Sequence, residues 1–129
     1  MVIIDTSVII DHLRRGGISL LVKIEKQHPG ETLAISAVTV QELYEGKSVE
    51  DDLKEKSMLA VLAGLKILPY TYSVAKEAGT INRKLKNPVD SFDAAIAAIA
   101  ATAILNSSPL YTLNIKDFSR IPDLELLDI

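Results

Sequence analysis

Short apolar segments alternate with longer segments of helical spacing along the chain. Strands are predicted at Val2–Ile4, 33–35, Lys66–Leu68 and 110–112, with a short fifth strand at 124–127. Uninterrupted apolar runs of this length are typical of strands that are buried on both faces. Their alternation with helices predicts an α/β fold, in which a single domain has a central parallel sheet of about four to five short strands and helices on both faces.

The segments between these strands carry helix-boundary residues. Thr6 or Ser7 is predicted to cap a first helix that ends near Gly16, and Ser36 to cap a helix that continues through Glu42. Further helices are predicted from the apolar positions Leu20, Leu21 and Ile24, from Leu53, Leu59 and Leu62 within 49–63, from Val74, Ala75, Ala78, Ile81 and Leu85, and from the start signal Asn87-Pro88.

Four acidic residues are candidates for chemistry. Asp5 ends the first strand, Glu42 borders the apolar face of its helix, Asp93 precedes a helix that is apolar on nearly every side, and Asp117 follows the fourth strand. Functional groups collect beyond the carboxyl ends of parallel strands, so this fold would bring the four acids to one edge. Asp93 is the sharpest signal, because a charge at the end of a buried helix needs a partner, a metal or the helix N-terminus itself. For each acid alone, an ordinary capping, turn or solvated role is the alternative.

Neighbouring polar residues have supporting roles in this interpretation. Ser7 is placed to orient the Asp5 carboxylate, and Thr112 to donate a hydrogen bond to a neighbouring carboxylate. Asn114 lies three residues before Asp117. Asp90 falls on the same helical face as Asp93 and is interpreted mainly as a helix-start residue, with metal ligation as the alternative.

Carboxylates this close to one another cannot all ionise cheaply unless cations hold them. Oxygen-only ligation suits Mg²⁺ or Mn²⁺, and such ions catalyse phosphodiester hydrolysis without a histidine. His12 and His28 are the only histidines, form no recognisable catalytic pattern, and are expected at the surface. The chain has no cysteine, which excludes disulfides and thiolate metal sites and is compatible with a reducing cytoplasm.

Composition agrees with a soluble domain of ordinary kind. The 129 residues are 48% hydrophobic and 24% charged, no secretory signal is recognisable, and the alanine-rich stretch Ala94–Leu105 is too short to cross a bilayer. The formal net charge of −3 argues mildly against a nucleic-acid partner. Acids that bind cations are neutralised in a working site, so the net charge does not exclude one.

These motifs together give the chain a family resemblance: it resembles PIN-domain nucleases, and more closely the VapC-type toxins of toxin–antitoxin pairs. The resemblance rests on IIDTSVIIDHL, ISAVTVQELYEG, KILPY, DAAIAAIA and LYTLNIKDFSRIP in this order and spacing, and it covers nearly the whole chain. It implies a cytoplasmic endoribonuclease that depends on Mg²⁺ or Mn²⁺, a homodimer, and a small antitoxin protein that covers the site. The catalytic, metal-binding carboxylates that it implies are Asp5, Glu42, Asp93 and Asp117, with Thr112 and Asn114 supporting the last.

Some members of the family carry an acid where this chain has Asn114, so the fourth ligand is Asn114, Asp117 or both. Basic residues near the expected site are candidates for RNA or antitoxin contact, with a solvated surface as the alternative for each: Arg14, Arg15, Arg83, Lys84, Lys86, Lys116 and Arg120.

Three alternative functions stay open from the sequence. The chain could be a catalytically inactive PIN fold that only binds RNA or protein, or a nuclease that acts on DNA. A receiver-type signalling domain is the third, and it is disfavoured because the first strand is followed by one acid, Asp5, where such a domain needs a pair.

Overall fold

The computed structural model describes residues 1–85 and 93–128, and within them four strands form one sheet. The strands are β1 (Val2–Ile4), β2 (Leu33–Ser36), β3 (Lys66–Leu68) and β4 (Leu110–Tyr111), in the order β3-β2-β1-β4. All neighbouring pairs are parallel, with Ile3 opposite Ala34 on one side and Leu110 on the other. The predicted parallel α/β fold is confirmed.

Helices connect the strands and cover the sheet. Those in the described residues are α1 (Thr6–Arg15), α2 (Leu20–Gln27), α3 (Ala37–Glu45), α4 (Asp52–Leu62), α5 (Tyr72–Leu85), α6 (Ala94–Leu105) and α7 (Ile115–Phe118), with short 3-10 helices at Gly16–Ile18 and Lys47–Val49. No helix in the described ranges is long and apolar enough to cross a membrane.

Two hydrophobic clusters lie on opposite faces of the sheet. Ile3 and Ala34 pack with α5, α6 and Phe118 on one face, whereas Val2 and Ile4 pack with α1, α2, α3 and α4 on the other. Successive strand residues point to opposite faces, so both faces need apolar side chains. This explains why the strands are continuous apolar runs rather than alternating ones.

Several predicted helix boundaries are confirmed and one is wrong. Gly16, with φ of 60°, follows α1 in the left-handed region as a C-terminal glycine should. Ser36 caps α3 and accepts a hydrogen bond from the Val38 amide at 3.1 Å. The first helix is not capped by Thr6 or Ser7, because it already includes both and Asp5 is the extended residue before it.

The helix predicted over 49–63 begins later and packs through a different face. Asp51 accepts a hydrogen bond from the Lys54 amide at 2.8 Å, which starts α4 at Asp52. Met58 and Leu62, four residues apart, are the buried positions. Leu53, at 76% exposure, and Leu59, at 48% exposure, belong to this helix as predicted but lie outside the core.

Two further predictions concern the C-terminal half of the chain. The predicted fifth strand at 124–127 is wrong, since Leu126 makes only an isolated bridge to Leu110. The helix start expected at Asn87-Pro88 lies outside the described residues. The alanine-rich helix itself begins at Ala94, because Asp93 has extended backbone angles and caps it.

The two histidines are not simple surface residues. His12 Nδ1 lies 2.6 Å from Ser19 Oγ, and His28 Nε2 lies 2.8 Å from Tyr111 Oη. Both rings are partly buried, and His28 packs edge-on against Tyr111. The surface expectation was wrong because each ring joins separate structural elements through a hydrogen bond.

The burial of α4 can be tested with a matched pair of substitutions. Met58→Ala removes a side chain that is 0% exposed and should lower the free energy of unfolding by about 2 to 5 kcal/mol. Leu53→Ala should change it by no more than about 0.5 kcal/mol, since that side chain lies mostly in solvent. Urea denaturation measures both. Equal losses would mean that α4 packs through the Leu53 face instead.

Candidate active site

The carboxyl ends of the three adjacent strands β2, β1 and β4 bring the candidate residues to one edge of the sheet. Asp5 follows the central strand β1, and Thr112 follows its neighbour β4. On the other side, β2 leads into α3 at Ser36, and α3 carries Glu42. The strand order therefore places Asp5 between the elements that hold the other groups.

Asp5 is buried, at 5% exposure, and its carboxylate is held by hydroxyl groups. Its Oδ2 accepts hydrogen bonds from Ser7 Oγ at 2.6 Å and from Thr112 Oγ1 at 2.7 Å. The Ser7 contact was predicted from the sequence. Thr112 was expected to support Asp117, and in the structure the carboxylate that it binds is that of Asp5. Ser7 Oγ in turn accepts from the Leu113 amide, and Thr112 Oγ1 from the Asn114 amide, so the network ties the start of α1 to the loop after β4.

Glu42 is half-buried on α3 and faces the same edge. Thr6 Oγ1 donates a hydrogen bond to its Oε1 at 2.7 Å. Burial raises the pKa of Glu42 above its ordinary value, the negative charges of Asp5 and Asp93 raise it further, and the bond from Thr6 offsets part of the rise. The three carboxylates therefore share one electrostatic neighbourhood.

Asp93 is exposed, and its carboxylate caps the N-terminus of the helix that follows it. Its Oδ1 accepts a hydrogen bond from the Ala95 amide at 2.8 Å, which caps α6. The helix behind it is buried at positions 97–103, as predicted, but the charged end of the helix reaches solvent. The helix N-terminus, one of the partners considered from the sequence, is the group that stabilises this carboxylate in the structure.

Asp117 lies on α7, and Asn114 joins the network around Asp5 through its backbone amide. Asp117 lies in the first turn of α7, and Asn114 precedes that helix without a capping bond from its side chain. Both are half-buried, and both stay candidates for the fourth position. Asp90 lies outside the described residues.

Carboxylate and hydroxyl oxygens make up this edge, and such a donor set fits a hard cation such as Mg²⁺ or Mn²⁺. Within the described residues, however, no group of three or more His, Cys, Asp or Glu side chains is arranged to hold a metal ion. Asp93 Oδ1 is bonded to the Ala95 amide of its own helix.

The predicted basic residues are spread over several elements. Arg15 pairs with Asp11 at 3.3 Å on the exposed side of α1, and Arg14 lines a groove beside Glu42. Lys86 lies outside the described residues. The others are exposed, at the end of α5 and on or just after α7: Arg83, Lys84, Lys116 and Arg120.

Two features of the site were missed from the sequence. The first is a groove of about 750 Å³ between α1, α3 and α4, which has Glu42 in its wall. The second is a buried pair of hydroxyls, Thr6 and Thr39, that leads to Glu42. The spacing of Thr39 and Glu42, three residues apart on one helix, was a signal that they share a face.

Comparison with known proteins gives a consistent picture. A family model described as PIN domain matches residues 2–124. The curated "Ribonuclease VapC" of Rickettsia bellii is 34% identical over 132 aligned residues, which cover 98% of this chain and 95% of that protein. "Ribonuclease VapC19" of Mycobacterium tuberculosis is 29% identical, over 97% of this chain and 98% of that protein.

Solved structures agree along the full length. The crystal structure of VapBC2 from Rickettsia felis, bound to a promoter DNA fragment, contains a chain with a TM-score of 0.83 and 27% identity, over 100% of this chain and 99% of that chain. The FitAcB crystal structure from Neisseria gonorrhoeae gives a TM-score of 0.78 and 26% identity, over 99% and 97%.

The raised pKa of Glu42 makes stability depend on pH. A carboxyl whose pKa is higher in the folded chain binds its proton more tightly there, so the folded state loses stability as the pH rises through that pKa. Glu42→Gln keeps an acceptor for Thr6 and removes the charge. In chelator, its melting temperature should exceed that of the wild type at neutral pH, and the difference should shrink on mild acidification. A difference that is constant with pH would contradict the assignment.

Proposed function

Because the chain belongs to the PIN-domain family, we propose that it is an endoribonuclease that hydrolyses RNA phosphodiester bonds with the help of Mg²⁺ or Mn²⁺, and that it is the toxin of a toxin–antitoxin pair. The observation that carries the proposal is the gathering of acids at one edge of the sheet, where burial raises the pKa of Glu42 and the charges of Asp5 and Asp93 raise it further. Such a cluster is costly to the fold and is favourable once a cation is bound.

The relatives support the choice of substrate and biological role. Two proteins that the chain matches along nearly their whole length are named ribonucleases. The VapBC2 and FitAcB structures support the fold that such chains share, and a toxin–antitoxin complex from Klebsiella pneumoniae contains a chain of the same fold. Family membership also removes the receiver-type alternative, which belongs to a different fold.

Asp5, Glu42 and Asp93 are the residues that would hold the cation, with Asn114 or Asp117 as the fourth. The hydroxyls of Ser7 and Thr112 both bind Oδ2 of Asp5, which fixes the carboxylate and keeps its other oxygen for ligation. When bound, the cation supplies positive charge at the scissile phosphate. Asp93 is exposed, so RNA can reach this side of the cluster from solvent.

The role of the basic residues in this proposal is to position the RNA backbone. Lys116 and Arg120 lie on or just after α7, which follows the strand that holds Thr112. Contacts of this kind bind phosphates and read no sequence. A formal net charge of −3 therefore does not oppose RNA binding, because the positive charges are local and the acids at the edge are neutralised by the cation.

Removing a carboxylate from the site should abolish most of the activity. Asp5→Asn should lower the rate of cleavage of single-stranded RNA in Mn²⁺ by well over tenfold, since about 1.4 kcal/mol of lost transition-state stabilisation costs each tenfold. A fluorescent RNA measures the rate. Asp123→Asn is the matched control, because Asp123 is exposed with φ of 68°, a conformation that asparagine also tolerates.

The same assay separates the remaining alternatives. Cleavage of RNA but not of DNA of equal sequence, stopped by EDTA, is the expected result. Cleavage that continues in EDTA would overturn the metal dependence, and cleavage of DNA alone would overturn the substrate. A folded wild type that cleaves neither would support the inactive, binding-only PIN fold.

We place the antitoxin in the groove between α1, α3 and α4. Its lining includes the apolar side chains of Ile10, Leu13 and Leu53, with Leu53 largely exposed at its rim. Glu42 forms part of the same wall, so an arginine or lysine of a partner that lies in the groove can reach the carboxylates. The homodimer implied by the family resemblance is part of the proposal and is measured by sedimentation.

A charge placed in the groove should release the toxin from inhibition. With the proposed antitoxin as the partner, Leu53→Glu should weaken inhibition and leave the uninhibited RNase rate unchanged, because Leu53 belongs to α4 and not to the elements that carry the carboxylates. Leu59→Glu is the control, since it is an exposed leucine on the same helix that does not line the groove. Equal inhibition of all three proteins would contradict the placement of the partner.

A further inference from the structure

We propose that Thr39 acts through Thr6 as a positioning residue for the Glu42 carboxylate, and that this chain of hydroxyls sets the affinity of the site for a divalent cation. The inference rests on the proposed function for the presence of a cation at this edge. It adds two residues that neither the acid pattern nor the family resemblance pointed to.

The geometry forms a continuous chain from the core to the site. Thr39 is 0% exposed and Thr6 is 6% exposed. Their hydroxyl oxygens lie 2.9 Å apart, and Thr6 Oγ1 lies 2.7 Å from Glu42 Oε1. Each of the two contacts has an ordinary hydrogen-bond length.

The number of available protons decides which group donates at each contact in this series of hydroxyls. An ionised Glu42 carboxylate accepts hydrogen bonds only, so Thr6 must give its single hydroxyl proton to Oε1. The Thr6 hydroxyl is placed to donate to Thr39 Oγ1 or to Glu42 Oε1, but its one proton cannot serve both. While that proton binds the ionised carboxylate, the contact with Thr39 is a hydrogen bond only if Thr39 donates it. A hydroxyl that itself accepts a hydrogen bond is polarised and donates more strongly, so Thr39 strengthens the bond between Thr6 and Glu42.

Glu42 needs such support more than Asp5 does. Its side chain has more rotatable bonds, is half-buried, and is repelled by Asp5 and Asp93. Asp5 receives hydrogen bonds from two hydroxyls, whereas Glu42 is held by the hydroxyl of Thr6. Fixing the rotamer of Glu42 before the cation arrives removes part of the entropy cost of binding.

The position of Thr6 links the two ligands. Thr6 lies between Asp5 and Ser7, and Ser7 holds Asp5 while Thr6 holds Glu42. Three consecutive residues at the end of β1 therefore supply one ligand and orient two. A shift of Thr6 would move the Glu42 carboxylate relative to Asp5, which is why the buried partner of Thr6 matters.

The test measures Mn²⁺ binding by isothermal titration calorimetry on the whole chain, without RNA. Thr39→Val keeps the side-chain shape and removes the donor, and it should weaken Mn²⁺ binding by about 10- to 100-fold, the range found when partners of metal ligands are removed. Thr39→Ser keeps the donor and should restore most of the affinity. Thr102→Val is the matched control, because Thr102 is 1% exposed and donates to the Ala98 carbonyl on α6.

A double-mutant cycle separates positioning from packing. In a Glu42→Ala background, which has no carboxylate for Thr6 to bind, Thr39→Val should have no further effect on Mn²⁺ affinity, whereas a general packing defect would add to the first loss. If Thr39→Val does not fold, Thr6→Val tests the same chain at its next hydroxyl and should weaken binding by a similar factor.

The outcomes distinguish this inference from the proposed function. A folded Thr39→Val protein with wild-type Mn²⁺ affinity overturns the positioning role, even if the wild type cleaves RNA. A wild type that binds Mn²⁺ but does not cleave RNA overturns the proposed function and leaves the affinity test in force. A wild type that binds no Mn²⁺ overturns both.

Discussion

Repulsion among carboxylates at one edge of a parallel sheet is the constraint on which the candidate site depends. Asp5, Glu42 and Asp93 are close enough for the charges of the two aspartates to raise the pKa of Glu42. The fold stabilises them separately: hydroxyls hold Asp5, a hydroxyl holds Glu42, and a helix N-terminus holds Asp93. None of these groups neutralises the charge, so the edge keeps a strong attraction for cations.

The packing below the site explains how the acids come so near to each other. Because β1 lies between β2 and β4, Asp5 emerges at the centre of the sheet edge. On one face, α6 is buried from 97 to 103, where five of the seven residues are alanines, and small side chains allow the helix to approach the sheet and α3 closely. The end of α6 that carries Asp93 is thereby brought towards Glu42.

The sequence was sufficient for the features that depend on local pattern. Apolar runs located β1 to β4, and Ser36 and Gly16 located helix boundaries, because each is decided by neighbouring residues. The buried face of α4 could not be located in the same way, since its leucines lie on several sides of the helix and Met58, with Leu62, is what meets the core. A groove beside α4 leaves Leu53 exposed, and no local pattern contains that information.

The site was predicted to a similar extent and for similar reasons. Ser7 could be paired with Asp5 because only one residue separates them in the chain. Thr112 was expected beside Asp117 instead, and its contact with Asp5 forms because the ends of neighbouring parallel strands meet. Thr39 could not be paired with Thr6, since their contact depends on how α1 and α3 pack across 33 residues of chain. The capping role of Asp93 was foreseen only as an alternative to metal binding, and in the structure it is the contact that forms.

RNA cleavage and inhibition by an antitoxin would both depend on the negative charge of the same carboxylates. Glu42 belongs both to the acidic edge and to the wall of the groove, so a partner's cationic side chain and a metal ion would relieve the same repulsion. Two ligands that stabilise one group of charges in the same way compete for it, and each lowers the other's affinity by an equal factor. An antitoxin that lies in the groove therefore need not block the RNA path physically. By neutralising Glu42, it removes the electrostatic reason for the cation to bind.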